Sequence, residues 1–337
     1  MDLYIVHTPY HLTLSVINGC MRNETLIVML DMTGTLGWYS SPTVSSLFNN
    51  NFFYINLGGR SGFAKFLDKN YFISKFISLG VVGTVHKKVT RKNVERIYVF
   101  NDSFHEVQGI LNSFPRSKVS YFEDGSAPYN SHKVKNRFPK WFSRLIFSFK
   151  FCPVNVLGTS HYIDDCIFTR PELARLEHKR WPIRALEIKE ESDVDLENFL
   201  TLFELSFLDK YEDQKSVSLY LLPVKLNKHL LDYYKKLWSL DHGLKLIKKH
   251  PISKEAFDIP GDFLELDSSM PAEAVVLKFK NLTAIFGYPS TTLFFSKFVR
   301  PDLNVYCVLS GSDIDGDRFS QNMERSGVSL MRDSSRG

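Results

Sequence analysis

Three short constellations carry groups able to move a proton or hold a phosphate. Glu123-Asp124-Gly125 sets two carboxylates ahead of a glycine. His250-Pro251 sets an imidazole where an extended run stops at a proline, and Ser290-Thr291-Thr292 opens a helical run with hydroxyls. A carboxylate can take the proton of an attacking hydroxyl. An imidazolium can pair with a phosphate as it departs. Hydroxyls and free backbone N–H groups at a helix start can hold that phosphate. Chemistry of this kind needs neither a nucleophilic side chain nor a metal, and the chain lacks a metal-binding Asp-x-Asp pair near these residues. The nearest, Asp313-Ile314-Asp315, lies in a polar tail. Each fragment alone also fits a structural role as a solvated turn, a strand stop or a helix cap. All three, however, follow a run that reads as a strand, at the edge where open α/β sheets bind ligands.

The positioning elements follow from the hydrophobic pattern. Strands are predicted at Leu3 to Val6, Leu26 to Leu30, Phe52 to Leu57, Arg96 to Phe100 and Lys118 to Phe122, with a further one at Val154 to Gly158. Helical spacing falls between them. Thr8-Pro9 makes an N-cap and first-turn pair, residues 62–82 are mostly helical, and Ser103 is placed to cap a helix reaching Phe114. Residues 33–50, rich in Gly, Ser, Thr and Asn, read as a loop. The pattern repeats after an acidic stretch, with strands at Val217 to Leu222, Leu244 to Lys249, Phe263 to Leu266, Leu282 to Phe286 and Asn304 to Val308. Helices are predicted at Leu226 to Leu240, Ala272 to Phe279 (with Pro271 at its first position) and Thr291 to Phe298. Residues 310–337 read as a poorly ordered tail or a terminal helix that crosses back. Strands alternating with helices argue for parallel sheets covered on both faces.

A chain of 337 residues is long for one core and suits two domains of roughly 150 residues. The composition shift at 185–215 puts the boundary near 200, giving domains 1–200 and 201–337. Net charge is +5, which permits an anionic substrate or membrane surface without demanding nucleic acid. Cys20, Cys152, Cys166 and Cys307 form no CxxC pair, so free thiols in a reducing compartment are expected. The N-terminus has Asp2 where a secretory leader carries bases, and no apolar run approaches a membrane span of about 18 residues. A cytoplasmic location follows as the expectation. Residues 132–150 interleave Lys133, Lys135, Arg137, Lys140, Arg144 and Lys150 with Phe138, Trp141, Phe142, Leu145, Ile146 and Phe147. That pattern fits a helix resting on an anionic membrane face or holding an acidic acceptor, and equally one that packs its aromatics inward.

Taken together, Glu123-Asp124-Gly125, His250-Pro251 and Ser290-Thr291 resemble, in the same order, three motifs of bacterial GT-B sialyltransferases. Pro271-Ala272-Glu273-Ala274-Val275 extends the similarity, and His7-Thr8-Pro9-Tyr10-His11 resembles the opening of the lipooligosaccharide and polysialic acid branches. The resemblance implies an α/β fold of two Rossmann-like domains facing across a cleft, the N-terminal one binding a glycan acceptor and the C-terminal one CMP-sialic acid. It implies Asp124 as general base with Glu123 its neighbour, and His250 as the group that stabilises or protonates the departing phosphate. Ser290 and Thr291 would hold that phosphate and Glu273 the ribose, with Pro251, Gly125 and Thr8 completing the donor-binding set. No cofactor and no metal are implied. In the lipooligosaccharide branch a base can follow the first strand of the second domain. Here that place reads Leu222-Pro223-Val224-Lys225, without an acid, which favours Asp124. Alternatives on the same frame are another CMP-keto-sugar donor such as CMP-Kdo, a non-catalytic sugar-nucleotide or glycan binder, and a phosphosugar epimerase or hydrolase.

Overall fold

The computed structural model describes residues 1–21, 24–58, 71–89, 93–129, 134, 144, 150–188, 192–203, 205–224, 226, 228–250, 253, 263–267, 270–309 and 318–332. They fall into two compact units, Met1–Leu202 and Phe203–Gly337.

The first unit is built on a seven-stranded parallel sheet. Its strands are β1 (Asp2–Val6), β2 (Thr25–Asp31), β3 (Phe52–Asn56), β4 (Arg96–Val99), β5 (Lys118–Phe122), β6 (Asp165–Phe168) and β7 (Ile183–Ala185), in the order β3-β2-β1-β4-β5-β6-β7. Parallel strands are buried on both faces, and β2 is buried along its whole length. The helix Pro9–Ile17 leaves β1, buries Tyr10 through Ile17 and packs against the helix Ser192–Leu200. Polar residues on that helix are satisfied internally: Thr13 donates to the Pro9 carbonyl and Ser15 to that of His11. The strand order reverses between β1 and β4, and chain leaving the carboxyl ends there is where such sheets bind ligands.

The second unit repeats the plan with β8 (Val217–Leu221), β9 (Leu244–Lys248), β10 (Phe263–Leu266), β11 (Leu282–Gly287), β12 (Asn304–Leu309) and β13 (Ser329–Arg332), ordered β10-β9-β8-β11-β12-β13 and all parallel. The helix Lys228–Leu240 covers one face, burying Leu230, Tyr234, Leu237 and Trp238 against Tyr220, Ile247 and Val308. The helices Ala272–Lys278 and Thr291–Val299 pack against each other.

Several expectations are corrected. Val154 to Gly158 is not a strand: the Asp102 carboxylate takes the N–H groups of Gly158 and Ser160, both at 2.8 Å, in place of a ladder. The next strand is β6, whose Asp165 pairs with Arg96 at 2.9 Å and interrupts the apolar signal. Ser103 does not cap its helix, which begins at His105 after Phe104 with no side-chain cap. Pro271 stands at the N-cap, one position earlier than expected. Within 33–50, short helices form at Gly37–Ser40 and Pro42–Leu47. Part of the presumed tail, Arg318–Arg325 and β13, is a helix and a sixth strand on the sheet. Residues 62–70, most of 132–150, Pro251 and Asp313-Ile314-Asp315 lie outside the described residues.

Candidate active site

In the first unit the ends of three strands converge on Asp124. The chain leaves β5 through Glu123 and Asp124 and turns at Gly125, whose φ of +57° suits glycine. Asp124 Oδ1 lies 2.9 Å from His11 Nε2, on the helix after β1, and its Oδ2 accepts Asn101 Nδ2, after β4, at 3.0 Å. Thr8 caps the same helix, its hydroxyl accepting the His11 N–H at 3.2 Å.

The His11 tautomer is fixed by its surroundings. The His7 N–H donates to His11 Nδ1 at 3.2 Å, so the ring proton sits on Nε2 and points at Asp124. The ring also stacks on Phe100 at 4.3 Å. His11 is 2% exposed, whereas the Asp124 side chain is 27% exposed. Of the pair, the carboxylate is therefore the member an incoming hydroxyl can reach, and the imidazole orients it. Burial pushes the Asp124 pKa up, but the His11 N–H above all, with the Asn101 amide, outweighs it and holds the carboxyl below its usual range. His7 is held neutral. Burial first, then His11, brings it down to about 3, its Nδ1–H faces the Leu30 carbonyl at 3.3 Å, and its Nε2 is buried without a partner among the described residues.

Glu123 faces the other way. Its carboxylate is 1% exposed and accepts the hydroxyls of Tyr10 at 2.6 Å, of Tyr129 and of Thr169, and the Thr169 N–H at 2.6 Å. Burial raises its pKa against the pull of those donors. The neighbour of the expected base is thus an enclosed acceptor that fixes the β5 turn to the ends of β1 and β6.

The second unit gathers His250, Glu273 and Ser290 at the carboxyl edge of its own sheet. Ser290 stands at the N-cap of Thr291–Val299 but makes no side-chain cap bond, and its buried Oγ has no partner among the described residues. Thr291 opens the helix. Thr292 donates to Glu273 Oε1 at 2.7 Å, tying this helix to the preceding one, and Glu273 is 7% exposed. His250 is exposed, and burial of part of its ring, then the Lys248 ammonium, lower its pKa. The sequence alone pointed to no role for His11, Asn101 or Lys248, and it offered Thr292 only as one of the hydroxyls that open the helix. His11 lay within a quoted motif, but only the structure shows which group it meets. At the opposite, amino edge of this sheet a depression includes Lys215, Lys280, Arg300 and Asp302. Arg300 there braces the carbonyls of Lys280 and Leu282 and the Asp302 carboxylate.

No protein-family model and no curated protein matches the sequence. Solved structures do match in shape. An α/β-galactoside α-2,3-sialyltransferase of Photobacterium phosphoreum superposes with a TM-score of 0.59 at 15% identity, covering 98% of this chain and 97% of that one. An Arabidopsis thaliana UGT complexed with UDP-L-rhamnose gives 0.54 at 10% identity, over 98% and 85%. A UDP-N-acetylglucosamine 2-epimerase of Rickettsia bellii gives 0.53 at 14%, over 98% and 83%. With two all-parallel α/β units and these neighbours, the chain has the GT-B glycosyltransferase fold.

Proposed function

We propose that this protein is an inverting, metal-independent glycosyltransferase that moves sialic acid from CMP-sialic acid to a hydroxyl of a bacterial surface glycan. The observation that carries the reading is the oriented, reachable Asp124 carboxylate, kept in its basic form by His11. The acceptor hydroxyl donates its proton to Asp124 while its oxygen bonds the anomeric carbon. The bond from that carbon to the phosphate oxygen breaks, and its electron pair leaves with CMP. A single displacement of this kind inverts the anomeric carbon. Sialic acid suits it, because its tertiary anomeric centre loosens readily to an oxocarbenium-like state. Ser290 and Thr291 hold the departing phosphate with hydroxyl and helix-end N–H donors. His250 then supplies a hydrogen bond or a proton, and Glu273 takes the ribose.

Sialic acid as the donor sugar is supported by the motif order in the sequence and by the fold shared with the Photobacterium sialyltransferase. Residues 132–150 would bring the enzyme to an anionic membrane face where such acceptors are assembled; loss of binding to anionic vesicles at low salt on neutralising their lysines would support this. Among the described residues no helix is long and apolar enough to cross a membrane.

The test offers CMP-sialic acid, CMP-Kdo and UDP-sugars to the pure protein with a panel of galactosides, sialosides and glucosides, and reads products by mass. Transfer from CMP-sialic acid that persists in EDTA and is abolished in folded Asp124→Ala and His250→Ala is expected. Transfer from a UDP-sugar alone, donor consumption without a glycan product, or full activity in either variant overturns the reading.

A further inference from the structure

The motif supplies His250 as the cation beside the phosphate, but the strand before it delivers another. Lys248 is the last residue of β9. In register it lies beside Leu221 of β8, which lies beside Gly287 of β11, so the three share one row and one face of the sheet. A Cβ built at Gly287 would come within 3.2 Å of Leu293, which places that face under the helix Thr291–Val299. The preceding residue, Ile247, points into the opposite core with Tyr234 and Trp238. Lys248 therefore rises on the face of Ser290 and Glu273.

The residue is 6% exposed. An ammonium is expensive to bury, and a methionine would pack there without that cost. Its Nζ reaches the Lys249 carbonyl at a long 3.3 Å, while Lys249 itself is committed to Glu265 at 2.8 Å. Among the described residues, the carboxylates of Glu273 and Asp267 act on Lys248, and Lys248 acts in turn on the imidazole of His250. On the same edge stands the Ser290 hydroxyl, without a partner among the described residues, at the start of a nine-residue helix.

We propose that Lys248 is a donor-binding residue whose ammonium pairs with the ionised phosphate of the nucleotide at the edge formed by β9, β11 and the start of Thr291–Val299. The assignment rests on the proposed function for the nucleotide's identity, not for its charge. Burial, against the pull of Glu273 and Asp267, brings Lys248 down to about 8. Its charge is present at neutral pH and is lost as pH rises through that value, unless bound phosphate holds it.

The test measures binding of CMP and of cytidine to the full chain by calorimetry, in the wild type, Lys248→Met and Lys248→Arg. Lys248→Met is expected to weaken CMP about 10- to 100-fold and leave cytidine unchanged. Lys248→Arg should recover part of the loss and remove the fall in CMP affinity above pH 8. Equal loss for CMP and cytidine, or no loss for CMP, overturns the assignment, as does wild-type affinity that stays flat from pH 7 to 10. A uridine and UDP pair is run alongside. If the wild type binds UDP and not CMP, the cytidylate donor falls, and the same comparison on that pair decides Lys248. If it binds no nucleotide, both proposals fall.

Discussion

Replacing His11 with phenylalanine separates orientation from chemistry at Asp124. Phenylalanine keeps a ring to stack on Phe100, at 4.3 Å in the wild type, but removes the Nε2–H that meets Oδ1 at 2.9 Å. A hydrogen bond to a charged group is worth about 1.5–3 kcal/mol. The Asp124 side chain is 27% exposed, so water replaces part of the loss and about 1.5–2 kcal/mol applies. That is about a 10- to 30-fold drop in kcat/KM near neutral pH. The sign of the pH effect also follows. Burial raises the Asp124 pKa and His11 is the largest force lowering it, so the variant's acidic limb moves to higher pH. Activity should therefore be hit hardest on the acid side. The assay is a pH profile of kcat/KM for donor turnover, repeated in an Asp124→Asn background. There His11→Phe should add almost nothing, because the group it positions is already disabled. An unmoved acidic limb, or the same fold-loss in both backgrounds, would refute the orientation argument. The variant also strands the His7 N–H, so a stability cost of about 1–3 kcal/mol, read by denaturant unfolding, is expected alongside.

Two further perturbations probe the same region. His7 is held near a pKa of about 3 in the fold, against 6.5 for the ordinary side chain. The unfolded chain binds the extra proton between these values, so stability is full above 6.5 and falls as pH drops through the window. At pH 5 the loss is about 2 kcal/mol, and His7→Phe should flatten it; an unchanged pH slope of stability counts against the buried neutral imidazole. Glu123→Ala should cost about 3 kcal/mol or more, since it removes at once the buried carboxylate that accepts the Thr169 N–H and the hydroxyls of Tyr10, Tyr129 and Thr169. Thermal unfolding indistinguishable from wild type would remove its anchoring role.

The strands that carry the site were legible because each is a short β-branched or aromatic run closed by a polar turn. Arg96 to Val99 and Leu282 to Gly287 could be read almost to the residue. β6 escaped because it opens on Asp165 and offers only Cys166, Ile167 and Phe168 as an apolar run, and the Arg96 that pairs with Asp165 from 69 residues away leaves no local trace. β13 escaped because, with four residues and exposed ends at the sheet's edge, it carries little apolar signal. The site was legible as residue types but not as geometry. Glu123 and Asp124 are adjacent and chemically alike. Where the chain leaves β5, one turns into a cage of donors and the other stays partly open to solvent. No spacing rule could have shown that a histidine 113 residues earlier holds the second carboxylate.

Fold likeness at 10–15% identity spans a sialyltransferase, a UGT and an epimerase, so it does not choose the leaving group. Charge at the second unit's edge favours one. A nucleoside diphosphate brings two phosphates, and a nucleoside monophosphate one. Among the described residues the cation enclosed on that face is Lys248, and Glu273 and Asp267 already draw on its field. Partial burial, then Lys248, lower the pKa of His250, and a phosphate brought beside the imidazole would oppose that shift. Among the described residues, one enclosed ammonium, one imidazole and the donors of a single helix end would balance a monophosphate better than a diphosphate. In the proposed reaction, negative charge would grow on the phosphate as the bond to the sugar breaks, and a proton on His250 would be held more firmly as it did so.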